Sequence, residues 1–288
     1  MTETVLPLAQ KAAQLLAERG FDNARLEAEL LLAHVLQVKR LDLYLQFERP
    51  LNNRELEAFR AAVRRRLKRE PLQYIVGSAA FRHLELVVDR RVLIPRPETE
   101  VLVGCAIQWA RPQGGVAAAL DIGTGSGAIA LSLAYEKAAA HVVATDISEA
   151  ALEVASGNAQ RLELAERVDF RAGPVWQAVR AGEVFDIVIS NPPYIAPEER
   201  AGLQPEVRDW EPAAALFAEA QGLAVIREIA AGAPAHMRPR GLLALEVAPT
   251  QAEAVADELR AAGYFEDVQV VRDLAGRDRI VTAVRKAD

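Results

Sequence analysis

Two consecutive prolines after a strand-like run remove two backbone donors and leave carbonyl oxygens open to a ligand. Such a pair occurs in Asn191-Pro192-Pro193-Tyr194, directly after Phe185-Asp186-Ile187-Val188-Ile189-Ser190. An NH2 group on a planar amide or nucleobase has two protons to donate, and the Asn191 side-chain oxygen and the Pro192 carbonyl are two acceptors for them. Tyr194 adds an aromatic face for the same planar group. The tetrapeptide is therefore read as a grip for an NH2 on an sp² carbon. Asn191, Pro192, Pro193 and Tyr194 are its substrate-binding residues, and Asn191, Pro192 and Tyr194 its catalytic ones. Holding that nitrogen in line with an electrophilic carbon is worth about 7–11 kcal/mol in positioning. Accepting both N–H bonds also favours the cationic nitrogen as it forms. No strong base is needed first, because the proton can leave the cationic product.

A second constellation lies upstream, where Ala119-Leu120-Asp121-Ile122 ends a strand and Gly123-Thr124-Gly125-Ser126-Gly127 opens a helix over Ala128 to Tyr135. Open α/β sheets place their ligand crevice at such turns, and glycines let the backbone approach a nucleoside or amino-acid moiety closely. On this motif alone a nicotinamide or flavin enzyme stays open, since Gly123-x-Gly125-x-x-Ala128 fits a dinucleotide fingerprint. About twenty residues on, the next strand ends in Asp146, where a carboxylate accepts from ribose hydroxyls. The same aspartate also reads as the cap of a helix over 147–160. A dehydrogenase has no use for the Asn-Pro-Pro-Tyr segment, which favours group transfer to nitrogen.

The elements that must hold these residues follow from periodicity. Up to residue 70, apolar residues recur at helical spacing, as in Leu8, Ala12, Leu15 and Leu16, then Leu56, Phe59, Val63 and Leu67, with an Asn52/Glu55 cap before the last set. Residues 72–95 turn β-branched and aromatic and predict a short hairpin. From residue 116 seven apolar runs of strand length alternate with helices: 116–121, 141–147, 168–171, 185–190, 242–247, 268–271 and 280–284. That pattern predicts a doubly wound α/β sheet.

The 288 residues, 51% of them hydrophobic, suffice for one large domain or one large plus one small. A formal net charge of −6 argues against affinity built on blanketing phosphates with lysine and arginine, so direct nucleic-acid binding is not expected. The run Arg64-Arg65-Arg66-x-Lys68-Arg69 reads either as a partner-binding patch or as a solvated helix end. The single cysteine, Cys105, lies in an apolar run and is read as core filler; the four histidines form no ligand pair, and no metal is expected. With neither a signal-like start nor a membrane-length apolar run, a cytoplasmic protein is expected.

At Asn191-Pro192-Pro193-Tyr194 the chain resembles the PrmC/HemK family of release factor glutamine methyltransferases. The likeness extends to Pro71-Leu72-Gln73-Tyr74-Ile75-x-Gly77, Leu93-Ile94-Pro95-Arg96-Pro97-Glu98-Thr99-Glu100, Asp121 to Gly127, Leu245-Glu246 and Asp273-Leu274-x-Gly276-x-x-Arg279. The resemblance implies a class I methyltransferase with a Rossmann-like seven-stranded sheet whose last strand is antiparallel. It implies a helical docking domain over 1–70, a hairpin linker over 71–95 and a catalytic domain over 96–288. The implied cofactor is S-adenosyl-L-methionine, leaving S-adenosyl-L-homocysteine, and the implied partners are class I peptide chain release factors, methylated on N5 of the Gly-Gly-Gln glutamine. By position, Gly123, Thr124, Gly125, Ser126, Gly127, Asp146 and Asn191 would bind the cofactor, Trp176 would lie by the adenine, and the Arg96–Glu100 loop would close near the methionine end. Gly173-Pro174-Val175-Trp176 departs from the family in lacking an aspartate before the tryptophan. The rival substrates are a large-subunit ribosomal protein, whose enzymes resemble Pro-Arg-Ser-Pro where this chain has Pro95-Arg96-Pro97-Glu98, and an adenine N6 of nucleic acid.

Overall fold

The computed structural model describes residues 3–287. The chain divides into two compact units, one comprising the residues up to Gly77 with Gln204–Trp210, the other Ser78–Leu203 with the residues from Glu211 on.

The first unit is helical: α1 (Val5–Glu18), α2 (Ala24–Leu36), α3 (Asp42–Leu45), α4 (Asn53–Leu67) and α5 (Leu72–Val76). Leu8, Ala12 and Leu16 of α1 pack with Ala28, Leu31 and Leu32 of α2 and with Phe59 and Val63 of α4. A capping box starts α4: Glu55 N donates to Asn52 Oδ1 at 2.9 Å and Asn52 N to Glu55 Oε2 at 3.0 Å, which stabilises such a helix end by about 1 kcal/mol. Helical structure runs past residue 70 because α5 buries Ile75 in this core before Gly77 ends it at φ +82°. The hairpin predicted from residue 72 thus starts only at Ser78.

The basic run at the end of α4 is largely occupied within the unit. Arg66 donates to both oxygens of Glu27, at 2.6 and 3.1 Å, and to Glu206 at 3.0 Å, while lying 4.1 Å from the Phe21 ring centre. Arg65 pairs with Glu70 and Arg69 with Glu206. The segment Gln204–Trp210 carries Glu206 on the short helix α9 (Pro205–Arg208), so these ion pairs tie a stretch distant in sequence to the helices.

The second unit opens with the hairpin β1 (Ser78–Phe81) and β2 (Leu84–Val87). It continues with α6 (Pro97–Ala110), β3 (Val116–Ile122), α7 (Ala128–Tyr135), β4 (Ala139–Asp146), α8 (Glu149–Arg161), β5 (Val168–Ala172) and β6 (Phe185–Ser190). After the 204–210 excursion come α10 (Ala224–His236), β7 (Met237–Glu246), α11 (Ala252–Ala261), β8 (Phe265–Arg272) and β9 (Asp278–Arg285). Strands β3 to β9 make a seven-stranded α/β sheet in the order β5-β4-β3-β6-β7-β9-β8, parallel except that β9 runs antiparallel to both neighbours.

Successive strand residues bury on opposite faces, as in any sheet covered on both sides. Ala119, Ile187, Ile189 and Ala244 join Leu102, Leu131 and Leu133 of α6 and α7 on one face. Leu120, Val188, Leu243 and Leu245 join Ile226, Ile229, Val255 and Leu259 of α10 and α11 on the other. Phe81, Leu84 and Leu86 place the hairpin in the first cluster. Among the described residues no helix is long and apolar enough to cross a membrane.

Candidate active site

Strand order in the sheet reverses between the parallel neighbours β3 and β6, the point where open α/β sheets bind ligands. Register aligns the residues there, because Ile122 pairs with Thr145 and with Ser190, and Ser190 with Leu245. The next residues along these strands, Gly123, Asp146, Asn191 and Glu246, therefore form one row along the carboxyl edge. Ser190 Oγ locks that edge by donating to Ile122 O at 2.6 Å.

The glycine loop turns from β3 into α7 with Gly123, Gly125 and Gly127 all at positive φ, +75°, +56° and +84°. A Cβ on Gly123 or Gly125 would meet nothing within 4 Å, whereas on Gly127 it would strike Leu131 Cδ1 at 2.9 Å. Two of the glycines thus leave room for a ligand, and the third lets α7 pack. Thr124 and Ser126 are buried and hold the loop from inside: Thr124 Oγ1 donates to Asp121 Oδ2 at 2.6 Å, and Ser126 O accepts from Asn158 at 3.0 Å. Asp121 also accepts from Ala130 N at 3.1 Å, while its Oδ1 has no partner among the described residues. Complete burial pushes its carboxyl up to about 7.

Asp146 accepts from Gly125 N and Ser148 N, each at 2.9 Å, which ties the end of β4 to the glycine loop. Burial raises its pKa against those hydrogen bonds. The helix cap expected at Asp146 falls two residues later: Ser148 Oγ accepts from Ala151 N at 3.2 Å and α8 begins at Glu149. That leaves the aspartate free for the loop. Ile147 beside it is 67% exposed. Gly173 N donates to Asp146 O at 3.0 Å, bringing the 173–176 backbone to the same strand end. The Trp176 ring goes elsewhere: Nε1 donates to Glu228 O at 3.0 Å and the indole stacks on His236 at 4.7 Å, over Gly232 of α10. The structure thus brings Gly123, Gly125 and Asp146 together and seats the Trp176 side chain against α10.

At the end of β6, Asn191 Nδ2 donates to Thr99 Oγ1 at 2.9 Å, and Thr99 Oγ1 donates to Glu246 Oε2 at 2.6 Å. Glu246 is completely buried, which raises its pKa, and Arg279 Nη2 lies 3.3 Å from its Oε1 as counter-charge. Tyr194 OH accepts from Arg279 at 2.8 Å and donates to Glu246 at 3.4 Å; burial and the Glu246 charge raise its pKa. Asn191 Oδ1 and Pro192 O take no hydrogen bond among the described residues. Pro192 is buried and Pro193 half-buried. The loop beyond is fastened by Gln251 Nε2, which donates to Tyr194 O at 3.0 Å and Gln221 O at 2.9 Å. The Arg96–Glu100 segment is anchored at both ends, Arg96 to Glu211 at 2.6 Å and Glu100 to Arg82 N at 3.0 Å.

The chain that carries this row of residues is similar to known proteins over nearly its whole length. Residues 8–77 match the PrmC N-terminal domain and residues 116–237 a methyltransferase domain. The release factor glutamine methyltransferase of Cereibacter sphaeroides is 45% identical over 272 residues, 94% of this chain and 95% of that one. Its counterpart from Chlorobaculum tepidum is 44% identical over 283 residues, 96% of this chain and 95% of that one. The chain belongs to the release factor glutamine methyltransferase family. This methyltransferase shares its fold with more distant solved structures. A Pyrococcus furiosus methyltransferase superposes with a TM-score of 0.54 at 19% identity, covering 71% of this chain and 90% of that one. The hMettl16 catalytic domain, solved with a MAT2A 3′UTR hairpin, gives 0.57 at 17% identity, covering 70% and 75%.

Four residues at or beside the candidate site, Thr99, Arg279, Gln251 and Ile147, carry no local signal in the sequence. Thr99 and Arg279 meet Glu246 from 147 and 33 residues away, and only their membership in recurring family motifs marks them. Gln251 reads as an ordinary helix-start residue. Ile147 reads as part of a strand, yet β4 ends at Asp146 and leaves it exposed. Among the described residues no group of three or more His, Cys, Asp and Glu side chains is placed to hold a metal ion.

Proposed function

We propose that this methyltransferase transfers the methyl group of S-adenosyl-L-methionine to N5 of the glutamine in the Gly-Gly-Gln motif of class I peptide chain release factors. The observation that carries this reading is the pair of acceptors left without partners, Asn191 Oδ1 and Pro192 O, in the strand-end row that also holds Gly123 and Asp146. The names of the relatives support the substrate, since they are release factor glutamine methyltransferases over nearly the whole chain.

The residues present fit the cofactor. Open space beside Gly123 and Gly125 admits a ligand against the backbone, and Asp146 retains acceptor capacity for a ribose diol. Exposed Ile147 offers an apolar face beside that carboxylate for a purine ring. When bound, the cofactor supplies an electrophilic methyl on sulfur. Asn191 and Pro192 take the two N–H bonds of the glutamine amide, and Tyr194 flanks its plane. Their oxygens favour the nitrogen as it gains positive charge. The helical unit is proposed to dock the release factor. Release factors act in the cytoplasm, so the reaction is a cytoplasmic one.

The test is methyl transfer from labelled S-adenosyl-L-methionine to a purified class I release factor, a large-subunit ribosomal protein and DNA, with the modified residue mapped by mass spectrometry. Label on the Gly-Gly-Gln glutamine alone is expected. Label only on the ribosomal protein or on adenine would overturn the reading.

A further inference from the structure

The Thr99 hydroxyl stands between two polar groups, 2.9 Å from Asn191 Nδ2 and 2.6 Å from Glu246 Oε2. It owns one proton and has lone pairs to accept others. Thr99 Oγ1 donates to Oε2 of the completely buried Glu246; burial raises the pKa of that carboxyl, and the Arg279 guanidinium 3.3 Å from its other oxygen opposes the shift as the counter-charge of the carboxylate form. A carboxylate only accepts, so the Thr99 proton is committed to it. What Thr99 offers to Asn191 is then a lone pair, and only an N–H can meet a lone pair. The asparagine amide is therefore fixed with Nδ2 toward Thr99 and Oδ1 facing the opposite way. Inverted, it would set oxygen against oxygen at Thr99 and present its NH2 to the incoming substrate NH2, donor against donor.

We infer that Thr99 is a positioning residue for methyl transfer, fixing the side-chain amide of Asn191 so that its oxygen meets the substrate nitrogen. The inference rests on Asn191 being the grip for the glutamine amide. It adds a second layer to the site: Glu246 at the end of β7 and Arg279 on β9 orient, through the first turn of α6, a side chain at the end of β6 that they do not touch. Tyr194 shares the same pair of charges, so both side chains of the Asn-Pro-Pro-Tyr segment that bear polar atoms are set by one buried ion pair. The arrangement also explains why a fully buried carboxylate is kept here, since a neutral acceptor that could also donate would leave the Thr99 proton uncommitted.

The discriminating pair of variants is Thr99→Val, which keeps the shape and removes the hydroxyl, and Thr99→Ser, which keeps the hydroxyl. Steady-state methylation of a class I release factor gives kcat and KM, and calorimetry gives S-adenosyl-L-homocysteine affinity. Thr99→Val is expected to lower kcat about 10- to 100-fold, the size of one lost orienting hydrogen bond to a half-buried amide. Cofactor affinity stays within about 2-fold in this variant, and Thr99→Ser recovers most of kcat. Unchanged kcat in Thr99→Val overturns the inference. So does equal loss in both variants, or a parallel loss of cofactor affinity, because each shows that shape rather than the hydroxyl matters. Failure of the unaltered enzyme to methylate glutamine would instead overturn the functional reading beneath it, so the two failures are distinguishable.

Discussion

The guanidinium of Arg279 donates to the hydroxyl of Tyr194 at 2.8 Å and lies 4.9 Å from the centre of the same ring. With Glu246 it forms the only charge pairing that this fully buried carboxylate has among the described residues. Breaking a buried pair from one side leaves an uncompensated charge, which costs about 3–5 kcal/mol, whereas replacing both partners with apolar groups costs far less. Arg279→Met is therefore expected to lower unfolding free energy in urea by about that amount. Adding Glu246→Leu should recover part of it. A single variant as stable as the parent would show that the pair does not hold this edge of the sheet.

Asn191 is expected to act on substrate far more than on cofactor, since its Oδ1 takes no protein hydrogen bond. Asn191→Ala should reduce kcat by at least about 100-fold, a loss on the scale of one preorganised transition-state contact. Cofactor affinity should stay within a few fold. Rate measurements on the release factor beside calorimetry with S-adenosyl-L-homocysteine check this, and undiminished methylation would remove Asn191 from the mechanism.

The glycines of the loop divide by what surrounds them. Gly125 sits at φ +56° with nothing within 4 Å of a built Cβ. An alanine there meets only the left-handed backbone cost of about 1–2 kcal/mol, but its methyl enters the space assigned to the cofactor, so affinity should fall at least 10-fold by the loss of close backbone approach. Gly127 at φ +84° faces Leu131 at 2.9 Å and Ala155 at 3.3 Å. Gly127→Ala adds overpacking of about 1–3 kcal/mol to the backbone cost. Thermal unfolding should therefore rank Gly127→Ala as the less stable variant. Titration calorimetry on the folded proteins should show the sharper affinity loss in Gly125→Ala.

What the sequence made legible was whatever depends on neighbours along the chain. The largely apolar run Phe185–Ser190 is a strand with those bounds because buried parallel strands need nearly continuous apolar residues. β7 begins at Met237, five residues before its apolar run, since Arg238, Pro239 and Arg240 are exposed and leave no pattern. β8 likewise starts at Phe265 although only 268–271 alternates with the expected polarity. Residues 72–76 look strand-like by type, yet form the short helix α5, which buries Tyr74 and Ile75 and ends at Gly77. In the site, the glycine loop and the Asn-Pro-Pro-Tyr segment were readable because each is contiguous. The Thr99, Glu246 and Arg279 cluster was not, because its members come from three elements that meet only once the sheet is built. The partner of the Trp176 ring, His236, is equally invisible, being sixty residues away on α10.

Asp121 makes the last prediction, because its carboxyl is pushed from 3.8 up to about 7 by complete burial, with no cation among the described residues paired to it. A raised folded-state pKa means that, between those values, the native protein holds a proton the unfolded chain has released. Its stabilising contribution is complete below pH 3.8 and is lost as pH rises to about 7. The full span corresponds to about 4 kcal/mol at most. Asp121→Asn keeps the shape and an acceptor for Thr124 and Ala130 but cannot titrate. Urea unfolding of both proteins across this range should therefore show the parent losing stability relative to the variant as pH rises, with the difference levelling off above pH 7. Parallel curves would mean that Asp121 stays ionised in the fold. Its unpartnered Oδ1 would then have to be met by water.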